Sequence, residues 1–183
     1  FEKLKSVVAG IALTQAVGEV NKFALGVQQA GNATGVAIGT ITSFSDAVGS
    51  VGGNAERAVG DVIDFVAGLK DARDGSATAQ VELAKVGITL DDLRKLSEED
   101  LFRKTIQGLA NIGDASTRNA LAVKLLGKNF KDIDVRSVAS AMGQAGGGVS
   151  ASAINAAADA QKAMASNMNN LKDALLEVIK PLN

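Results

Sequence analysis

Two pairs of adjacent carboxylates, Asp91-Asp92 and Glu98-Glu99, are the residues of this chain best suited by type to do chemistry. Paired acids can share general acid and general base work when their surroundings hold their pKa values apart. The usual partners for such chemistry are missing. The chain has no His, the commonest general base and metal ligand. It has no Cys either, which closes disulfide, thiolate-metal and redox chemistry. Each acid pair also sits just after a helix-capping residue, Thr89 or Ser97, where the helix dipole favours negative charge. Both pairs therefore read as helix starts. No catalytic residue, no cofactor-binding residue and no metal ligand is assigned, and the chain is expected not to be an enzyme.

The elements that would hold these residues are expected to be all-α. Hydrophobic residues make up 46% of the 183, but aromatics are only 3%, all of them Phe, and there are 20 Gly. Small side chains bury little area each, at roughly 25 cal/mol per Å2. A thin core of this kind suits helices packed closely along their length, within one chain or between copies. The net charge is −1, and no basic stripe accompanies stacking aromatics, so specific nucleic-acid binding has no support. The N-terminus shows no signal peptide, and both ends look cut, as in a fragment of a longer protein.

Residues 1–75 read as long Gly/Ala-rich helices. From Phe1 to about Ala30, Leu4, Val8, Ile11, Leu13, Val17, Val20, Ala24 and Val27 recur three or four apart on one broad face. Gly31, Gly35 and Gly39 then repeat at four-residue spacing, which predicts close approach of a second helix. Residues 23–45 carry no ionisable side chain. That length can span a bilayer as a helix, and small residues four apart suit pairing in lipid. However, Gln28, Gln29, Asn32, Thr34, Thr40, Thr42, Ser43 and Ser45 lie within it, so a buried helix of a protein bundle is the preferred reading. Asn54 is expected to cap a helix running to about Arg73, with Val59, Val62, Ile63, Val66 and Leu69 on one face.

At the other end, residues 135–150 read as a Gly-rich linker, on the strength of Gly143 to Ser150. Residues 151–183 carry a heptad seam through Ile154, Ala157, Gln161, Met164, Met168, Leu171, Leu175, Val178 and Leu182. Its apolar part, Met164, Met168, Leu171, Leu175 and Val178, is the predicted self-association site. Packing within the chain would give a similar stripe, and the seam does not choose dimer over trimer.

Between these arms, residues 76–134 read as a compact module of short capped helices. Ser76 starts a helix that Val86-Gly87-Ile88 ends. Thr89 caps a short helix with Leu90, Leu93 and Leu96, and Ser97 caps the next, whose buried side is Leu101, Phe102, Ile106 and Leu109. Gly113-Asp114 restarts the chain, and Ala120, Leu121, Val123, Leu125 and Leu126 carry the last helix to Gly127. The hydrophobic repeat changes phase at every cap, so these pieces must fold on one another.

The order of these signals resembles a module found in tail tape measure proteins of long-tailed phages. Val86-Gly87-Ile88, Leu93, Ser97-Glu98-Glu99, Phe102, Ile106, Leu109, Ile112, Asp114, Arg118, Ala120-Leu121-Ala122 and Gly127-Lys128 match it in order. Two departures stand out. Leu126 occupies a position where phenylalanine is more usual, and Asn129 to Ile133 replaces a more acidic, leucine-rich exit.

The resemblance implies a structural protein that fills the tail tube, sets tail length during assembly and leaves at the tip before DNA ejection. It implies a homo-oligomer, a trimer by preference, with tail tube, distal tail and hub proteins as partners and the host membrane as a further partner on ejection. The implied location is the tube lumen or tip of the virion, and the host cytoplasm during assembly. Two other readings stand beside it: a membrane-active helical protein inserting through residues 23–45, and a generic helical-bundle interaction protein.

Overall fold

Four phenylalanines from four different elements meet at the centre of the folded unit. Phe44 meets Phe102 edge-on at 4.9 Å between ring centroids and stacks on Phe130 at 5.8 Å, while Phe65 meets Phe102 edge-on at 5.3 Å. All four are buried. The protein is represented by a computed structural model that describes residues 22–144. Every regular element among them is helical, in agreement with the all-α expectation.

In chain order, helical residues 22–34 form α1, followed by α2 (Ile38–Ser50), α3 (Ala55–Arg73), α4 (Ala77–Ala84), α5 (Leu90–Lys95), α6 (Glu98–Asn111) and α7 (Ala115–Leu126). A 3-10 turn, Lys128–Lys131, leads to α8 (Val135–Gln144). The α3 helix is the hub, touching α2, α4, α5, α6, α7 and the 3-10 turn. The α8 helix closes the opposite side against α2, α6 and α7.

The helix boundaries follow from local polar residues. Asn54, Ser76, Thr89, Ser97 and Asp114 each accept a backbone N–H from the residue three positions on, opening α3, α4, α5, α6 and α7 in turn. Such caps contribute roughly 1 kcal/mol each. At Thr89 the cap is reciprocal, because the Asp92 carboxylate accepts the Thr89 N–H. These boundaries agree with the capping pattern of the sequence.

Three features differ from the sequence expectation. The unit includes α2 and α3 rather than starting at residue 76, since these helices supply two of the four central rings. Residues 135–150 are not linker throughout: α8 occupies Val135–Gln144 and buries Val135 and Val138. On α3 the buried face is Ala58, Val59, Val62, Phe65, Leu69 and Ala72, leaving Ile63 exposed. The N-terminal helix over residues 1–21 and the heptad helix over 151–183 lie outside the described residues.

Close helix approach does occur in the unit, at a glycine the spacing rules did not single out. A β-carbon at Gly108 on α6 would stand 2.0 Å from the Val86 carbonyl oxygen, in the turn that ends α4. Only a glycine lets α6 lie so near that backbone. The unusual exit sequence after α7 has a packing role as well. The 3-10 turn swings Phe130 into the ring cluster, and Ile133 is buried beyond it.

Phe102 touches two other rings, and Phe102→Ala is expected to lower the unfolding free energy by about 3–5 kcal/mol. Leu90→Ala, at a half-exposed position, should stay within about 0.5 kcal/mol of the parent in the same urea titration. Gly108→Ala should cost about 1–3 kcal/mol, because the Val86 backbone has to move. Thr105→Val has the opposite sign. The Thr105 hydroxyl is buried without a hydrogen-bond partner, so its removal should leave stability unchanged or raised.

Candidate functional site

The carboxylate pairs do not form paired-acid sites. Asp91 forms an ion pair with Lys95 at 2.8 Å, while Asp92 turns to Lys104 at 2.8 Å and to both the N–H and hydroxyl of Thr89 at 2.7 Å. Lys104, then the Thr89 N–H and hydroxyl, hold the Asp92 carboxyl far below the ordinary range. Glu98 pairs with Arg73, whose guanidinium lowers its pKa. Glu99 points to the start of α2, where it accepts the Ala37 N–H at 3.2 Å and the Thr40 hydroxyl at 2.7 Å. Burial pulls the Glu99 pKa upward, but hydrogen bonds from Thr40, Arg103 and Ala37 together outweigh it and the net shift is downward. Four neighbouring acids thus hold four different ends of helices or cross-links.

The arginines perform the complementary task at helix C-termini. Arg73 donates to the carbonyls of Leu93 at 2.7 Å and Leu96 at 3.0 Å, at the end of α5. Arg118 is 5% exposed and donates to the Ile112 carbonyl at 2.9 Å and to Asp134 at 3.2 Å. Arg136 reaches the same α6 terminus through Ala110 at 2.8 Å and Ile112 at 2.9 Å. A cation suits the last carbonyls of a helix on both hydrogen-bonding and dipole grounds. Sequence reasoning missed these roles, since an arginine that caps a helix distant in the chain leaves no spacing signal.

Several surfaces among the described residues are concave. A groove of about 350 Å3 between α3, α4 and α7 has Phe65, Leu69, Leu83 and Leu125 along it, with Glu82 and Lys124 at its rim. Glu82 pairs with Lys124 at 2.9 Å and with Lys85 at 3.2 Å, and these two cations lower its pKa. On the other side of α4, Val81, Ala84, Ile88, Leu90 and Leu93 line a shallower apolar groove, with Val81 and Leu90 more than half exposed. Neither of these two grooves gathers convergent polar groups of the kind that fix a small substrate. A third hollow, of about 360 Å3, is lined by Ala72, Arg73, Gln80, Leu90, Leu93 and Arg94; there Arg73 is bonded to Glu98 and to the Leu93 and Leu96 carbonyls, and Gln80 to the Ala72 carbonyl. Asp61 is raised by burial, against a hydrogen bond from Asn129 at 3.2 Å, and Asn129 also donates to the Asn54 carbonyl at the start of α3.

The three glycines expected to line one helix face are separated by a break in the helix. Gly31 lies on α1, Gly35 is an exposed turn residue with φ +74°, and Gly39 lies on α2 with no described atom within 4 Å of an added β-carbon. They therefore share no common face. The predicted self-association residues, Met164, Met168, Leu171, Leu175 and Val178, lie outside the described residues.

Among the described residues no group of three or more His, Cys, Asp or Glu could hold a metal ion. Also among them, no helix is long and apolar enough to cross a membrane, and the uncharged stretch 23–45 is divided between α1 and α2. Comparison of the chain with protein-family models, curated proteins and solved structures gave no match.

The lowered carboxylates set the acid limb of stability. Glu82, Glu98 and Glu99 have folded pKa values below their unfolded ones, so their contribution is complete above the unfolded value, about 4.3. It is lost as pH falls through the folded values. Chemical denaturation should therefore show a flat unfolding free energy from about pH 7 to 5 and a decline below about 4.5. The Glu98→Gln, Glu99→Gln double variant should be less stable at neutral pH with a shallower decline. An equally steep acid limb in that variant would mean other groups control it.

Proposed function

We propose that this chain is a fragment of a phage tail tape measure protein, acting as a structural and not a catalytic component. In this reading it lies in the lumen or at the tip of the tail tube, in several copies, against tube, distal tail and hub proteins. Residue count becomes tail length through continuous helix, at about 1.5 Å per residue. The chain then leaves at the tip before DNA passes. The observation that carries the reading is the succession of capped short helices from Ser76 to Ile133, in the order of the family module. Support comes also from what the quoted residues do. Ser97 and Asp114 open helices, Gly127 follows the end of one, and Arg118 caps another; none is spared for a reaction.

The long flanking helices and the C-terminal heptad seam belong to the same proposal. The seam through Met164, Met168, Leu171, Leu175 and Val178 would hold the copies together, three being the number the family resemblance favours.

Two measurements test the reading. In the parent gene, an in-frame deletion within continuous helix outside the module should shorten tails by about 1.5 Å per residue removed, read by electron microscopy. Tails of unchanged length would overturn the ruler role. In solution, the mass per particle of this chain should be that of a concentration-dependent trimer that Leu171→Asp or Leu175→Asp reduces to monomer. A monomer insensitive to both substitutions would place the seam against its own chain.

A further inference from the structure

The α2 helix begins differently from the five helices that follow it. Each of α3 to α7 is opened by a side chain of its own N-cap residue. The N-cap of α2 is Ala37, which has no side-chain acceptor, and its first turn holds no acid. Glu99, 62 residues away on α6, instead accepts the N–H of Ala37 itself and the Thr40 hydroxyl. Arg103, one turn further along α6, bonds both Glu99 and Thr40. The start of α2 is therefore tied to α6 by contacts distant in the chain.

The turn before α2 is short and contains nothing that forbids helix. It comprises Gly35, Val36 and Ala37, with no proline. It is nonetheless sharp, since a β-carbon on Gly31 would meet the Ile38 side chain at 3.1 Å, although residues seven apart in a helix are separated by about 10 Å of rise. Two side chains satisfy its inner N–H groups: the Thr34 hydroxyl accepts Val36 N–H at 3.2 Å, and Glu99 accepts Ala37 N–H. In a continuous helix those same two N–H groups would bond the carbonyls of Asn32 and Ala33. The exchange leaves neither unpaired. What keeps the turn is Gly35 in the left-handed region, at φ +74°, the Glu99 contact and the buried Val36 side chain.

We propose that the turn at 35–37 is a latched joint: with Glu99 engaged, α1 and α2 are separate helices, and with Glu99 released they join into one continuous helix. The α2 segment stays in the unit through Phe44 and Val48, while residues 26–34 extend along its axis. The change would have to expose or repack Val27 and Ala30 on α1 and Val36 in the turn, the buried apolar residues from Gly26 to Ala37. The uncharged character of residues 23–45 fits such a change, because no ion pair within that stretch has to break. The joint does not rest on the role proposed above.

The chain lacks cysteine, so Gln29→Cys and Ser50→Cys, both at exposed positions, give a unique pair for spin labels. Pulsed dipolar spectroscopy should show one distance in the parent, shorter than that of a continuous helix because the turn at 35–37 breaks the axis. A continuous helix separates the same residues by about 31 Å. Gly35→Ala, which disfavours left-handed backbone and favours helix, should raise the long-distance population on the order of tenfold or more. Glu99→Ala should raise it independently, while Asp100→Ala on the same turn of α6 should not. Cooperative urea unfolding of the rest of the unit should persist in each case. An unchanged short distance in the Gly35→Ala, Glu99→Ala double variant overturns the proposal. So does a broad distance distribution with loss of cooperative unfolding, since Glu99 would then serve only to hold the fold together.

Discussion

The packing of four phenylalanine rings is the constraint on which the rest of the unit depends. With aromatics at 3% of the chain and much of the remaining apolar content in alanine and valine, few other side chains can bury a large area at one point. Phe44, Phe65, Phe102 and Phe130 come from α2, α3, α6 and the 3-10 turn, so a single cluster fixes four elements at once. Each edge or stacked contact contributes roughly 0.5–1.5 kcal/mol beyond the area it buries. The position of Phe130 in turn requires the 3-10 turn directly after Gly127, which is why the exit from α7 cannot simply continue as helix. Leu83, Val86, Ile88 and Leu93 are buried as well, on and after α4 and on α5, with Leu83 in the same groove as Phe65.

Around that cluster, charge serves to hold helix ends. Acids lie at N-termini and arginines at C-termini, which is the arrangement the helix dipole favours. The consequence for function is that carboxylates which could have done chemistry are already committed. A general acid or base must be free to exchange a proton with a substrate, whereas Asp92, Glu98 and Glu99 are each anchored by two or more hydrogen bonds or an ion pair. Their pKa values are lowered, which is opposite to what a catalytic acid at neutral pH requires.

What was legible in the sequence was local. Asn54, Ser76, Thr89, Ser97 and Asp114 announce helix starts through bonds that span three residues, and a short stretch of chain contains all the information needed. What was not legible was set between distant elements. The role of Phe65 escaped because the apolar face of α3 was read through Ile63, and only the neighbours decide which edge of a broad stripe turns inward. The 31/35/39 glycine spacing suggested one packed helix face, yet a backbone turn at Gly35 divides it. Gly108, by contrast, is needed for a contact with a turn 22 residues earlier in the chain that no periodicity encodes. Helix α8 was obscured by the Gly-rich composition that follows it, although Val135 and Val138 give it a buried side.

In the proposed ruler, such a unit can contribute little to length. About 120 residues drawn out as one helix would extend roughly 180 Å. Folded into a single globular unit, the same number has a radius of gyration of about 14 Å. Length per residue is therefore several times greater in continuous helix than in the folded module. A protein that counts residues must place its count in the arms and use the module for another purpose, such as seating one end of the ruler against a partner. The same comparison gives the joint at 35–37 its meaning. Joining α1 to α2 converts residues from the compact regime to the extended one without unfolding the helices capped by their own side chains, at a helix start whose N-cap, Ala37, offers no side-chain acceptor.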